Sequence, residues 1–339
     1  MGILDSLSLP VIIAPMAGGP STPALANAAA EAGSLGFLAG GTMGVDQFRS
    51  ELVQLRGRVA INLFRPQEQE PKPSDVDELA GLLTQPFREF KLGEPRVPMV
   101  DLSNGWEEKF RLAVAARPAV ISCTFGLFTA DEFATLKHAG IEAWVTVTNP
   151  EDARRAEQAG ADALVVQGPE AGGHRSSWTI AEEPDVRSLD DLLQAVVAAG
   201  VRAPLVAAGG VATRADVVRV LSLGATAVAC GSAFLLCDEA GTSPTNRDIL
   251  RSAPDMGLTT VSSRSFSGRY ARGVETRFVR EHESLPPVYP YLNHLIAPLR
   301  AATGPLGNWD YAYCLVGTGI GNINDGTVKH ILKALNPSG

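Results

Sequence analysis

The sequence predicts an α/β chain folded as a (β/α)8 barrel, with an insertion after the third strand and a partly helical C-terminal extension. Three observations carry that prediction. Alanine-rich amphipathic stretches end in glycine and run into short apolar strands, N-capping residues mark the opposite junctions, and the strands number eight.

The helix-to-strand junction recurs along the chain. Ala29-Ala30-Glu31-Ala32-Gly33 precedes Leu35-Gly36-Phe37-Leu38, His138-Ala139-Gly140 precedes Glu142-Ala143-Trp144-Val145, and Gln158-Ala159-Gly160 precedes Ala163-Leu164-Val165. Ala198-Ala199-Gly200 and Ser222-Leu223-Gly224 lead in the same way into Pro204-Leu205-Val206 and Ala227-Val228-Ala229. Glycine past a helix supplies the left-handed turn that ends it, and a mostly apolar strand implies burial on both faces of a parallel sheet. Thr22-Pro23, Thr129, Asn149-Pro150 and Thr213 each offer an N-cap, with proline or a carboxylate in the turn that follows. Val11–Ala14, Val59–Leu63 and Ala119–Cys123 complete the eight strands. Periodicity leaves a doubly wound open sheet as the alternative.

Residues 65–98, opening on a Pro-rich polar run, and residues 238–310 exceed the repeat, and long insertions of this kind act as lids or caps. The expected organisation is therefore a barrel of residues 1–237 plus 311–339 with a cap of residues 238–310, and a closing helix over 321–336.

A formal charge of −8 without a dense Lys/Arg stripe speaks against a nucleic-acid partner. No apolar run reaches transmembrane length, and no signal peptide precedes the first strand. Cys123, Cys230, Cys237 and Cys314 have neither metal-site nor disulfide spacing, which fits a reducing cytoplasm and predicts no metal. The apolar barrel helices leave monomer and homodimer open.

In a barrel of this kind the active site lies at the C-terminal ends of the strands, and phosphate is commonly gripped after strands seven and eight. Those ends read Ala208-Gly209-Gly210-Val211 and Cys230-Gly231-Ser232. Ala14-Pro15-Met16 after the first strand suits packing against a flat ring, and Asn62 at the tip of the third suits hydrogen bonding to a heterocycle edge. The loop Gln167-Gly168-Pro169-Glu170-Ala171-Gly172-Gly173-His174-Arg175 joins permissive glycines to an imidazole that titrates near neutral pH. Gly317-Thr318-Gly319-Ile320-Gly321 superficially matches a dinucleotide fingerprint, but no βαβ unit follows it. His138, His282, His294 and His330 read as solvated or structural. Ser267–Gly273, with Arg269 and Arg272, reads as a barrel cap or an anion site.

Taken together, the Pro15-Met16-Ala17-Gly18 opening, Ile61-Asn62-Leu63-Phe64, the Gln167–His174 loop, the two glycine sites and Ser267–Gly273 resemble the nitronate monooxygenase (formerly 2-nitropropane dioxygenase) family of FMN-dependent TIM barrels. That group also includes flavin-dependent enoyl-acyl-carrier-protein reductases and NAD(P)H:quinone reductases. The resemblance implies FMN held by Ala14, Pro15, Met16 and Gly172, with Asn62 and Gln167 at its pyrimidine edge and its phosphate on Gly209, Gly210, Gly231 and Ser232. It implies His174 as the catalytic residue, either taking a proton from a nitroalkane or orienting an anionic nitronate. A small-molecule substrate and dioxygen would react to a carbonyl compound and nitrite, and the reductase branch implies NAD(P)H as co-substrate. A flavin-binding sensor that has lost turnover is the non-enzymatic alternative, and a dehydrogenase of the inosine-monophosphate type needs a nucleophilic cysteine.

Departures from the family pattern bear on the substrate. Thr124 stands before Phe125-Gly126 where many members have histidine. Trp178, in Arg175-Ser176-Ser177-Trp178, is placed to narrow or roof the pocket. Tyr311 and Tyr313 do not reproduce a tyrosine-lysine pattern found in some members.

Overall fold

Successive residues of the strands are apolar on both faces, and both faces of the sheet are buried. The computed structural model describes residues 2–67 and 69–338, so Glu68 of the Pro-rich run lies outside the described residues. Its strands are β1 (Val11–Ile13), β2 (Phe37–Ala39), β3 (Ala60–Phe64), β4 (Val120–Thr124), β5 (Glu142–Val147), β6 (Ala163–Gln167), β7 (Gly173–His174), β8 (Leu205–Ala208), β9 (Ala227–Cys230), β10 (Thr260–Ser263) and β11 (Ala271–Val274). Ile13, Ile61, Ile121, Val145, Leu164 and Val228 pack outward with helix residues such as Leu25, Leu136, Leu192 and Val217. Their neighbours Ile12, Phe37, Ala60, Val120, Trp144 and Val206 fill the interior.

Eight of the strands form one parallel sheet in the order β1-β9-β8-β6-β5-β4-β3-β2. A parallel bridge between Ile13 and Gly36 joins its two ends, with Ile13 N–H donating to Leu35 O at 2.9 Å. The sheet is thus the expected barrel and not an open doubly wound sheet. β2 begins later than the apolar run Leu35–Leu38, because Leu35 and Gly36 serve the β1 edge.

Local capping matches the residues that predicted it. Thr22, Thr129, Asn149 and Thr213 each accept a hydrogen bond from a first-turn N–H, and Thr129 and Thr213 complete capping boxes with Glu132 and Asp216. Gly33, Gly140, Gly160, Gly200 and Gly224 all stand at positive φ.

After β9 the chain departs from the ring of strands, and Cys237 and Gly326 form a parallel bridge, with Asp238 N–H donating to Gly326 O at 2.9 Å. The returning helix, Val328–Leu335, is shorter than the expected 321–336. Residues 320–322 form a separate 3-10 turn, Gly326 is at φ 138°, and Thr327 caps the true start. This helix lies against Pro23–Glu31 and Arg214–Ser222, which is the eighth helical position of the ring. The two long insertions meet in a core of their own. Val76, Leu79, Leu83 and Phe87 from the first pack with Phe278, Val288, Leu292 and Leu299 from the second.

Inside the barrel, Trp144 is fully buried, its ring 6.1 Å from that of Phe37, and its Nε1–H donates to Glu142 at 2.9 Å. Truncating a buried indole leaves a cavity the closed ring of strands cannot collapse around. Trp144→Ala should lower unfolding stability by about 3–5 kcal/mol, read as a shift in the urea midpoint with little change in slope.

Candidate active site

Toward the C-terminal ends of the strands the inward-facing positions turn polar. Asn62, Ser122, Thr124, Thr146 and Gln167 replace the apolar layer and form the floor of a cavity of about 460 Å³. His174 and every residue expected to contact the cofactor line it. Ala14, Pro15 and Met16 follow β1, Gly172 and His174 lie on the loop after β6, Gly209 and Gly210 follow β8, and Gly231 and Ser232 follow β9.

Asn62 is buried and its Nδ2 donates to Ser122 Oγ at 2.8 Å and to Thr124 Oγ1 at 3.0 Å. Thr124 therefore contributes a hydroxyl that orients the amide and leaves Asn62 Oδ1 as the uncommitted acceptor. Gln167 clamps the following loop, donating from Nε2 to His174 O at 2.9 Å and accepting from Ser176 N–H at 2.9 Å. One further N–H and one further lone pair remain on its amide.

At the opposite end Gly209 and Gly210 stand at φ 118° and 65°, where a side chain is strained. The helix Arg214–Ser222 follows them, and its capping box engages part of its N-terminus. Asp216 accepts from the N–H groups of Ala212 at 3.1 Å and Thr213 at 2.9 Å. What remains open to an anion is the glycine backbone and the first N–H groups of the one-turn helix Ser232–Phe234. Gly317 donates to Ser232 Oγ at 2.9 Å, and a Cβ on Gly172 would come within 2.5 Å of Gly317 N. Gly317 and Gly319 thus line the site although their motif is not a dinucleotide fingerprint. The Gly-x-Gly spacing was the visible signal, but nothing local placed it beside β6.

His174 is held by residues distant in sequence. β7 pairs antiparallel with β11, His174 opposite Ala271, so the Ser267–Gly273 segment forms the wall that carries the histidine. His174 Nε2 lies 2.8 Å from Ser267 Oγ, and the ring meets Phe64, Phe125 and Tyr289 edge to face. Part of the imidazole remains open to the cavity while protein walls in the rest. Burial, with the nearby Arg269 charge adding to it, pulls its pKa down to about 3.

Arg269 is fully buried, with its guanidinium 4.0 Å from the ring centre of Phe125. It donates to Ser177 O at 2.5 Å and to Gln67 Oε1, and among the described residues no carboxylate lies within ion-pair distance. Burial lowers its pKa only to about 10, so the charge persists at neutral pH. Phe125 itself stands at φ 75°, its N–H donating to Ser176 Oγ at 3.0 Å, a strained conformation that sets its ring between Arg269 and His174. Tyr313 lines the cavity under the guanidinium of Arg300, whereas Tyr311 belongs to the cap core.

One expectation is overturned. Trp178 does not line the cavity; it packs on the outer core with Arg155 4.5 Å over its ring, after Arg175, Ser176 and Ser177, all buried. The four cysteines are buried free thiols, and burial pushes that of Cys230 up to about 12, which leaves no nucleophile for a cysteine-dependent dehydrogenase. No metal-binding cluster occurs among the described residues.

Comparison with known proteins agrees with this geometry. The model of the nitronate monooxygenase family matches residues 3–337. A nitronate monooxygenase from Pseudomonas aeruginosa is 33% identical, covering 98% of this chain and 96% of its own, and a probable nitronate monooxygenase from Bacillus subtilis is 32% identical with 97% and 96% covered. The solved structure of nitroalkane oxidase from Streptomyces ansochromogenes superposes with a TM-score of 0.92 at 34% identity, covering 99% of this chain and 97% of that one. FabK from Thermotoga maritima, at 23% identity and a TM-score of 0.72, shares the fold. A barrel with its polar floor, a histidine loop held by the tail and a family match spanning nearly the whole chain lead to one assignment: this chain belongs to the nitronate monooxygenase family.

Proposed function

We propose that the chain is an FMN-dependent nitronate monooxygenase that converts alkyl nitronates and dioxygen to a carbonyl compound and nitrite. The observation that carries this reading is His174, kept neutral at the cavity wall, with the buried cation Arg269 behind it. A fixed positive charge in a region of low dielectric favours an anion in the cavity and disfavours a second cation.

The residues present fit FMN. Gly209, Gly210, Gly231 and Gly317 offer backbone without side chains beside Ser232, and Asn62, a buried residue in the middle of β3, offers Oδ1 as an acceptor. In the proposed arrangement Ala14, Pro15 and Met16 support one face of the ring, Asn62 and Gln167 serve its pyrimidine edge, and Gly172 allows close approach. When bound, FMN supplies the redox chemistry that moves an electron from the nitronate to dioxygen. The protein supplies orientation and charge. With Nε2 engaged by Ser267, His174 has Nδ1 left for the substrate. Its depressed pKa makes it a poor acceptor for the proton of a neutral nitroalkane, so its role is to orient the preformed nitronate.

The division into a barrel of 1–237 with 311–339 and a cap of 238–310 stays part of the proposal, since the excursion after β9 carries walls of the site. So does a cytoplasmic monomer or homodimer. Buried free thiols support a reducing compartment, and no helix among the described residues is long and apolar enough to cross a membrane.

The charge state of His174 has a stability consequence. Its folded pKa of about 3 lies below the ordinary 6.5, so below that value the unfolded chain binds a proton the native state refuses. Stability falls as pH drops from 6.5, and His174→Gln removes this contribution. The thermal midpoint of the variant should therefore decline less than that of wild type between pH 6.5 and about 4; parallel declines would mean that His174 is not held neutral.

Anaerobic mixing of the purified flavoprotein with an alkyl nitronate, with NADH and NADPH run alongside, tests the reaction. Rapid bleaching of the flavin by nitronate alone is expected, and His174→Ala should slow it about a hundredfold with flavin content retained. Bleaching by a pyridine nucleotide and not by nitronate would make the protein a quinone or enoyl-thioester reductase instead.

A further inference from the structure

A second cavity of about 330 Å³ adjoins the first, sharing Thr42, Phe64, His174, Asn293 and Tyr313 with it. The shared wall contains the histidine proposed to orient the nitronate, so a substrate held there has this space beside it. We propose that the second cavity receives an uncharged, apolar tail of the substrate, and that the enzyme prefers nitronates bearing a longer or bulkier carbon skeleton than propane. The inference rests on the functional reading above and assigns the substrate class of the same site.

The wall chemistry decides what kind of tail fits. Met43, Val45, Val100, Leu102 and Pro290 give it a largely aliphatic surface, and Phe64 and Tyr289 add ring faces. Most of its polar members are committed to other protein groups, and His294, also on this wall, is kept below the ordinary imidazole range by burial and the Arg300 charge, so that it adds no cation at neutral pH. Arg65 pairs with Glu132 at 2.8 Å, Gln67 accepts from Arg269, and Asn104 donates to Gly41 O while accepting from the buried ammonium of Lys109 at 3.1 Å. Asp101 accepts from Ser103 N–H at 2.9 Å and from Gly105 N–H at 3.2 Å, and these bonds, led by the Ser103 hydroxyl, hold its carboxyl below the ordinary range. It therefore adds a negative charge to this wall, which opposes a second anionic group on the substrate. Arg300, the cation with a direct place in the larger cavity, does not line the smaller one. The hydroxyls of Tyr289 and Tyr313 make no hydrogen bond to a described acceptor; the Tyr289 ring packs edge to face on His174, and Tyr313 lines both cavities, where a nitronate head and not its tail belongs.

The test is a series of ethyl, butyl and hexyl nitronates, plus a nitronate ending in a carboxylate, assayed as kcat/KM with the flavin-loaded enzyme. The expected result is a rise of about fourfold per added methylene along the alkyl series, the effect of burying a methylene, with the carboxylate-ended compound below the alkyl one of equal length. A flat series, or preference for the carboxylate, overturns the proposal. Oxidation of none of the four would instead sink the nitronate reading itself, and the tail pocket with it. A space-filling variant supplies independent evidence. Gly44 lines this cavity at φ −67°, and a Cβ there meets nothing within 4 Å, so Gly44→Phe adds bulk without backbone strain. It should cut the hexyl-to-ethyl ratio of kcat/KM about tenfold, as should Leu102→Trp from the other wall. An unchanged ratio in a variant that retains flavin and its thermal midpoint counts against the pocket.

Discussion

The site depends on one short pairing, that of Gly173 and His174 with Arg272 and Ala271. A loop after a barrel strand is ordinarily free to move, and a catalytic side chain on it is only as well placed as the loop. Here two residues of the loop become the edge of a small sheet with β10 and β11. Gln167 grips the loop from the barrel side, and Arg175 N–H donates to Tyr270 O at 2.8 Å from the tail side. Removing the tail would leave His174 without its sheet partner, its Ser267 contact and its Tyr289 wall together. The excursion after β9 is therefore part of the site and not an ornament on the barrel.

The same tail brings a charge that the fold must tolerate. Arg269 is buried with no ion-pair partner among the described residues, and its Nε makes no hydrogen bond to any of them. Burying such a group is costly. Two acceptors and the face of Phe125 compensate it in part, and the strained φ of Phe125 follows from placing that ring. Uncompensated cost at this position has a functional reading: the field that adds to burial in keeping the imidazole neutral is also the field that an anionic substrate would answer. Histidine and arginine are thus one electrostatic unit, although 95 residues apart would be the only relation visible in a linear reading.

Departures from the family pattern acquire definite places. Thr124 accepts from Asn62 and so acts on the floor of the cavity, away from the histidine wall. Trp178 lies outside the pocket, on the outer core under Arg155. Gly317 and Gly319, set aside for want of a βαβ unit, matter through contact with the β6 loop and not through any helix of their own.

Much of the barrel was legible because its signals are local. A capping hydroxyl acts on an N–H three residues away, a glycine ends the helix it follows, and two-sided burial imprints continuous apolar runs on each strand; Thr129, Gly160 and the β4 run Val120–Thr124 needed no tertiary information to be read. The cavity residues on strand ends were legible for the same reason, since strand polarity in a parallel barrel sets which end carries the site. Tertiary structure alone decided which distant segments meet. The sheet partner of His174, the cation behind it and the second cavity all depend on contacts across most of the chain, and a side chain's neighbours at such separations leave no periodic trace in sequence. Hydrogen-bonding propensities and hydrophobic patterning therefore determined the frame, while long-range packing determined the electrostatic environment in which its chemistry would run.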